Sequence, residues 1–244
     1  MTSTLYSQIK NDKAQRIKQV AALIDPDDLE SNRIPALCEA INEHGVSYIL
    51  LGGSYVAMDQ MEQTIQSIKA HTKTPVILFP GDMNQLNPHA DAVLALSVIS
   101  GRNPDHLIGQ HVTAAPRIKA WNLEAIATGY MLIQTGRMTA AEYISQSFPI
   151  PGDQAGIAAA TAMAGEMLGM HTVYLDGGSG ADAPISPKLI SAVARSVEIP
   201  IWVGGGLRTA QSIRDALRAG ADIAVIGNGF VENPNMLANW NDGI

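Results

Sequence analysis

Apolar residues along the chain follow two different periods, which alternate from one end to the other. Short runs are almost continuously apolar, and the longer stretches between them carry apolar residues at helical spacing. In one of these stretches, the apolar positions of one helical face are Ile34, Leu37, Cys38 and Ile41. That pattern stops at Gly45, which is typical of a helix end. The apolar runs predict eight strands, at residues 21–25, 46–51, 75–79, 92–98, 125–133, 172–176, 200–203 and 222–226.

Helices are predicted before the first strand and between the later ones. Pro104 is expected to start one helix, and Asp153 to cap another. The predicted helices cover residues 5–18, 154–168, 186–197 and 209–218, the stretch that ends at Gly45, the stretch marked by Met61, Ile65 and Ile68, and the stretch that Pro104 opens. Eight strand–helix units with strands apolar on both faces favour a closed parallel (β/α)8 (TIM) barrel with an N-terminal helix over an open sheet. We therefore expect a single domain over residues 1–244.

The composition restricts the classes of function. The formal net charge is -7 and the Lys and Arg residues are scattered, so a nucleic-acid partner is not expected. Cys38 is the only cysteine, which excludes an internal disulfide and a cysteine-based zinc site. No apolar run approaches the roughly 18 residues of a membrane span, and no apolar signal region follows the N-terminus. These features predict a soluble, cytoplasmic protein without a transmembrane segment.

The sixth predicted strand ends in a carboxylate followed by small residues. Asp176 closes the strand, and the chain continues through Gly177, Gly178, Ser179 and Gly180. In (β/α)8 barrels the active site lies at the carboxyl ends of the strands, and bare backbone N–H groups there can surround an anion. The pattern predicts a base beside an anion-binding loop, and a tight turn without a ligand is the alternative interpretation.

Other strand ends carry a second set of candidates. Glycine runs at 204–206 and 227–229 follow the seventh and eighth strands, a position typical of a phosphate site. The alternative is that these glycines only permit close packing at the barrel top. Asp25 ends the first predicted strand and Ser54 follows the second, where their oxygens are placed to bind one hard cation. A helix cap or a hydrogen bond across the barrel mouth is the alternative for this pair.

Eight short motifs occur in one order along almost the whole chain. They are LIDPD at 23–27, LGGS at 51–54, LSVISGRNP at 96–104, FPIPGD at 148–153, AGEMLGM at 164–170, YLDGGSGA at 174–181, VGGGLR at 203–208 and IGNG at 226–229. Together they resemble the geranylgeranylglyceryl phosphate synthase family of barrel prenyltransferases. The resemblance implies transfer of a geranylgeranyl or similar prenyl group from its diphosphate to the terminal hydroxyl of sn-glycerol 1-phosphate, forming an ether-lipid precursor. It also implies Mg²⁺ as cofactor and a homo-oligomeric protein.

The resemblance assigns roles by position. Asp25 and Ser54 correspond to the Mg²⁺ contacts, and the candidate catalytic residues are Asp176, as the base, and Tyr174. The residues that correspond to glycerol-phosphate contacts are Tyr174, Leu175, Asp176, Gly177, Gly178, Ser179, Gly180, Gly205, Gly206, Gly227 and Asn228. Two positions depart from the family pattern, because Asp176 stands where Glu is usual and Asp28 where Lys is usual. The first change shortens the reach of the base, and the second removes a cation near the metal site.

Two other classes of function share part of this pattern. An isomerase or aldolase of sugar phosphates would share the glycine runs but would not need Asp25 with Ser54, and aldolase-type chemistry needs a lysine that these strand ends lack. The third possibility is a barrel that binds phosphate or an isoprenoid without catalysis. Only the two departures from the family pattern, Asp176 and Asp28, support it. A prenyltransferase also requires an apolar groove, which we expect from the third, fourth and fifth strands and their loops.

Overall fold

A computed structural model describes residues 4–57, 60–227, 229–230 and 233–244. Within these residues, eight parallel strands pair in chain order and the first closes on the last, which confirms the predicted barrel. Because the strands are parallel, all their carboxyl ends lie on one rim. The strands are β1 (Gln19–Ile24), β2 (Tyr48–Leu51), β3 (Val76–Leu78), β4 (Ala92–Val98), β5 (Glu124–Leu132), β6 (Thr172–Asp176), β7 (Ile201–Gly204) and β8 (Ile223–Ile226).

The helices pack around this barrel. Within the described residues they are α1 (Leu5–Ala14), α2 (Ile34–Glu43), α3 (Met61–His71), α4 (Gln110–Ala120), α5 (Ala140–Ser145), α6 (Ala155–Met167), α7 (Pro187–Ala194) and α8 (Ala210–Ala219). A π-helical turn, Asp105–Gly109, precedes α4. The helices bury one apolar core against the outside of the sheet, and a second core fills the barrel interior.

The N-terminal helix α1 closes the amino end of the barrel. Ile9 is buried in the interior core, and the Glu124 carboxylate at the start of β5 accepts hydrogen bonds from Leu5 N (2.8 Å) and Tyr6 N (2.9 Å). These bonds satisfy backbone donors that a helix N-terminus leaves unpaired. The helix ends at Ala14, earlier than the predicted residue 18, and Arg16 then adopts a φ of +59° as the chain turns towards β1.

Aromatic side chains fill the barrel interior. The Tyr174 ring lies 5.1 Å from that of Phe79 and 5.6 Å from that of Tyr130, and it stacks on Trp202. Side chains alternate along β6, so Tyr174 belongs to the interior core while Leu175 belongs to the outer one. By the same alternation Asp176 faces the inside of the barrel at its rim.

The connection between β3 and β4 differs from the prediction. Residues 79–91 contain a short 3-10 turn, Met83–Gln85, and no α-helix, so the expected regular strand–helix unit is wrong here. Pro80, Gly81 and Pro88 disfavour a helix in this segment. A loop therefore replaces a helix at this part of the rim.

The connection between β5 and α6 holds a helix that the apolar pattern did not predict. The short helix α5 begins with a capping box, in which the Thr139 hydroxyl accepts from Glu142 N and the Glu142 carboxylate accepts from Thr139 N. The predicted cap of α6 is also wrong, because its N-cap residue is Gln154 and not Asp153. The β5–α6 connection is thus a structured segment over the carboxyl rim.

Candidate active site

Asp25 lies directly against the loop that follows β2. Its Oδ1 accepts a hydrogen bond from Asp27 N (3.0 Å). A Cβ placed on Gly53 would lie 2.5 Å from Asp25 Oδ2, so only glycine allows the carboxylate to come this close. The structure therefore brings together the two loops that carry the predicted metal ligands, Asp25 and Ser54.

Gln85 fixes the same loop through two hydrogen bonds. Its Oε1 accepts from Gly53 N (3.1 Å), and its Nε2 donates to Gly53 O (2.8 Å). The side chain is buried and belongs to the 3-10 turn between β3 and β4. Sequence reasoning missed Gln85, because its role depends on a connection whose shape the apolar pattern does not define.

The electrostatics of Asp25 suit a cation. Burial raises the pKa of Asp25 to about 6; the hydrogen bond from Asp27 N lowers it, and the negative charges of Asp28 and Asp27 raise it. A carboxylate and a hydroxyl are the oxygen ligands that Mg²⁺ prefers, and this ion commonly uses one or two carboxylates with water and substrate phosphates. Within the described part of the chain, no cluster of three or more His, Cys, Asp or Glu side chains forms a metal site. The donor set at Asp25 and Ser54 fits Mg²⁺ in this sparse mode.

The loops after β6 and β7 pack against each other at the carboxyl rim of the barrel. Gly177 N donates to Gly204 O (3.0 Å), and a Cβ on Gly205 would lie 2.7 Å from Gly177 Cα. Gly206 packs equally closely, since its Cβ would lie 2.7 Å from Ala183 C. Both glycines have positive φ, 86° at Gly205 and 73° at Gly206. These glycines therefore do permit close packing, as the alternative interpretation expected. The packing holds two backbone loops side by side at the rim.

Two arginines hold the loop after β6. Arg137 Nη2 donates to Gly180 O (2.9 Å), and Arg208 Nη2 donates to Ala181 O (2.7 Å). Both side chains are exposed, and they place positive charge beside the loop in a protein whose net charge is -7. Guanidinium groups beside this loop favour an anion.

The remaining residues assigned to glycerol phosphate have different surroundings. A Cβ on Gly227 would meet no atom within 4 Å, so open space lies next to it. Ser179 and Gly180 are exposed, whereas the Leu175 side chain is buried in the outer core and leaves only its backbone for a ligand. Asn228 lies outside the described residues.

Asp176 is buried at the end of β6 with both carboxylate oxygens engaged. Oδ1 accepts a hydrogen bond from Gly178 N (2.7 Å), and Oδ2 accepts one from the Tyr130 hydroxyl. Burial raises the pKa of Asp176, and these two hydrogen bonds oppose the rise. The result is a carboxylate that is fixed in orientation and is a stronger base than an exposed one.

Two tyrosines surround this carboxylate. Tyr130 on β5 is paired with Tyr174 on β6 in the strand register, and both side chains point into the barrel. The Tyr174 hydroxyl lies against Gly204, where a Cβ would come within 2.5 Å of Tyr174 Oη. The resemblance named Tyr174 as a candidate and did not name Tyr130, although an inward tyrosine near the end of a strand is a signal of the same kind.

An apolar cavity opens at the carboxyl rim, beside the Gly53 loop and Tyr130. Most of its lining comes from the ends of β3, β4 and β5 and the segments that follow them, where the groove was expected, and the loop after β2 completes it. Its polar lining includes Ser54 and Tyr130. The other described lining residues are Gly53, Phe79, Pro80, Gly81, Leu96, Val98, His106, Gln110, Ala141, Ile144 and Ser145.

The fold and the rim define the class of the protein: a (β/α)8 barrel with a candidate active site built from the loops at the carboxyl ends of its strands. A family model described as the PcrB family matches residues 13–241. The chain belongs to this family.

Proteins similar to this one match it over nearly the whole chain. A protein of Chitinophaga pinensis is 46% identical over 100% of this chain and 97% of its own length, and one of Spirosoma linguale is 46% identical over 90% and 88%. Both are named geranylgeranylglyceryl phosphate synthase. The crystal structure of (S)-3-O-geranylgeranylglyceryl phosphate synthase from Thermoplasma acidophilum, in complex with its substrate sn-glycerol-1-phosphate, superposes with a TM-score of 0.90 at 27% identity and covers 99% of each chain. Among the described residues of the present protein, no helix is long and apolar enough to cross a membrane.

Proposed function

We propose that this protein transfers a geranylgeranyl or similar prenyl group from its diphosphate to the terminal hydroxyl of sn-glycerol 1-phosphate. The observation that carries the proposal is the position of Asp176, a buried carboxylate between a glycine-rich loop and an apolar cavity at one barrel rim. The names of the relatives, and the glycerol phosphate bound in the Thermoplasma acidophilum enzyme, support it.

Glycerol phosphate binds at the joined loops after β6 and β7 in this proposal. The charges of Arg137 and Arg208, with the N–H groups of the exposed residues Ser179 and Gly180, attract the phosphate. Gly227 contributes open space at the neighbouring strand end. The terminal hydroxyl then points towards Asp176, while the prenyl chain lies in the cavity beside Phe79 and Leu96.

Mg²⁺ is the cofactor in this proposal, and Asp25 and Ser54 would hold it. When bound, it supplies positive charge that neutralises the diphosphate leaving group. Asp28, where the family usually has Lys, contributes negative charge at Asp25, and this increases the demand for a cation there.

The chain itself provides orientation and a base. The loops that hold glycerol phosphate convert the encounter of two substrates into a reaction between fixed groups. Asp176 accepts the proton that the hydroxyl loses as the new ether bond forms. The bond from the prenyl carbon to the diphosphate breaks in the same event, and its electron pair leaves with the diphosphate.

The test is a transfer assay with labelled sn-glycerol 1-phosphate and prenyl diphosphates of several chain lengths, with and without Mg²⁺. We expect a labelled prenyl ether that requires Mg²⁺ and is nearly lost in Asp176→Asn. Conversion of a sugar phosphate without ether formation would identify an isomerase or aldolase, and binding of both substrates without turnover would identify a non-catalytic barrel. A cytoplasmic location and a homo-oligomeric state stay predictions.

A further inference from the structure

Tyr130 stands between the apolar cavity and the buried carboxylate. Among the described residues that line the cavity, Tyr130 and Ser54 are present and Asp176 is not. The Tyr130 hydroxyl donates to Asp176 Oδ2, and Gly178 N donates to Oδ1. In the proposed function the prenyl chain lies in this cavity, so the glycerol hydroxyl must meet the prenyl carbon there. At that position it contacts the phenol before it reaches the carboxylate.

We propose that Tyr130 relays the proton of the glycerol hydroxyl to Asp176. The inference rests on the proposed function, and it makes Tyr130 a catalytic residue of that reaction. Its basis is the order of groups from cavity to interior, namely phenol and then carboxylate, together with the occupation of both oxygens of Asp176 by protein donors.

The step balances as a double proton transfer. The glycerol oxygen forms its bond to the prenyl carbon, and the bond from that carbon to the diphosphate breaks with its electron pair on the diphosphate. The hydroxyl proton passes to the oxygen of Tyr130, whose own proton passes to Asp176 Oδ2. Tyr130 is neutral before and after the step, Asp176 ends protonated, and no oxidant or reductant is required.

The surroundings of Tyr130 favour a concerted transfer. Its side chain is 5% exposed, and burial together with the nearby charge of Asp176 raises the pKa of Tyr130 well above its usual range. A free phenolate is therefore costly, so the phenol gains one proton as it loses the other. The short Asp176 side chain gives the relay a purpose, because aspartate reaches less far than glutamate by one methylene group, about 1.5 Å.

The experiment compares Tyr130→Phe with Tyr48→Phe. Tyr48 is also a buried tyrosine of the barrel interior, but its hydroxyl bonds to Gln19 (3.3 Å) in the polar cluster under α1. We expect Tyr130→Phe to lower kcat by on the order of 10²–10⁴, the range of a lost acid–base group, with the Kd for sn-glycerol 1-phosphate within a few-fold of the parent. Tyr48→Phe should leave both within a few-fold. Thermal unfolding of each variant checks that the fold is intact.

A rescue separates the relay from a structural role. The double variant Tyr130→Phe/Asp176→Glu lengthens the carboxylate into the space that the phenol oxygen leaves. If the relay extends the reach of Asp176, the longer carboxylate accepts the proton directly and kcat recovers at least tenfold over Tyr130→Phe.

Three results would overturn the relay: kcat of Tyr130→Phe within a few-fold of the parent, equal losses in kcat and in glycerol-phosphate affinity, or no recovery in the double variant. A parent protein that transfers no prenyl group from any diphosphate would instead overturn the proposed function. The parent and Tyr48→Phe measurements keep these two failures distinct.

Discussion

The backbone of Gly205 touches the backbone of Gly177. A Cβ on Gly205 would lie 2.7 Å from Gly177 Cα and from Gly177 N, a distance that real Cβ atoms do not adopt. The two residues belong to the loops after β7 and β6, which are further joined by the hydrogen bond from Gly177 N to Gly204 O. A substitution at Gly205 therefore displaces both loops of the proposed phosphate site.

We predict that Gly205→Ala weakens binding of sn-glycerol 1-phosphate by tenfold or more, which corresponds to about 1.4 kcal/mol. The physical reason is displacement of the Gly177 loop, and the added methyl group does not need to reach the phosphate. Calorimetric titration measures the effect.

Gly169→Ala is the matched control. Gly169 has nearly the same φ, 87° against 86° at Gly205, but a Cβ there would meet no atom within 4 Å. Both variants incur the strain of a positive φ, about 1–2 kcal/mol, and only Gly205→Ala should lose affinity. Equal affinity in the two variants would place the phosphate away from this pair of loops.

The strand ends of this protein were predictable because parallel strands in a closed barrel put them on one rim. Asp25, Ser54 and Asp176 were identified as candidates from their place at the ends of apolar runs, and the strands that end beside them lie where the pattern put them to within two residues. Such residues can be located from a short stretch of sequence, because a strand end is a local feature.

The partners of these residues were not predictable from local pattern. Gln85 reaches Gly53 across 32 positions of sequence, and Tyr130 reaches Asp176 across 46. Each contact depends on strand register and on a loop shape that apolar periodicity does not specify. The capping-box residues that start α5 can be recognised in the sequence. The helix itself has too few turns to show a periodic apolar face.

A second prediction concerns the loop contact at Asp25. Gly53→Ala places a methyl group 2.5 Å from Asp25 Oδ2 and 3.2 Å from its Cγ, so the carboxylate must rotate away. We expect the Mg²⁺ concentration that gives half-maximal transfer to rise by about tenfold, a change of about 1.4 kcal/mol. Titration of activity with Mg²⁺ measures it.

Gly156→Ala provides the comparison for this variant. Gly156 lies in α6, where a Cβ would meet no atom within 4 Å, so the same chemical change should leave the Mg²⁺ dependence as in the parent. A metal dependence of Gly53→Ala that matches both parent and control would remove Asp25 from the cation site.

A third prediction follows from the half-buried His111 of α4. Burial lowers the pKa of His111, whose Nε2 lies 2.9 Å from the Ser97 hydroxyl oxygen. The imidazole of His111 therefore takes up a proton more readily in the unfolded chain than in the folded one. The contribution of His111 to stability is fully present above the ordinary histidine pKa of about 6.5, and it falls as the pH drops below that value. We expect the drop in Tm between pH 7.5 and pH 5.5 to be smaller in His111→Gln than in the parent. In a chain of this size, each kcal/mol of unfolding free energy changes Tm by about 2–4 °C.

His71→Gln is the control for the loss of one histidine, because His71 is exposed at the end of α3. Its Tm should fall with pH as the Tm of the parent does. The same pH dependence of Tm in His111→Gln and the parent would show that His111 does not contribute.

The fourth prediction tests Asp176 as the base. Asp176→Asn keeps the shape of the side chain and an oxygen for the bond from Gly178 N, but it cannot accept the proton. We expect turnover to fall by on the order of 10²–10⁴ with glycerol-phosphate affinity largely intact. Since burial raises the pKa of Asp176 above 3.8, the parent should lose activity on the acid side at a pH above that value, as the base becomes protonated.

A carboxylate that only caps the Gly178 loop makes the opposite prediction. Asp176→Asn would then weaken phosphate binding and change the chemical step little once substrate is saturating. Asp176→Glu adds a further distinction, because the longer side chain must displace the Tyr130 hydroxyl that now bonds to Oδ2. A base predicts an intermediate rate for this variant, since a carboxylate is retained at a changed distance from the hydroxyl. A single-turnover rate of Asp176→Asn within a few-fold of the parent would exclude the base role and leave Asp176 as a structural part of the loop.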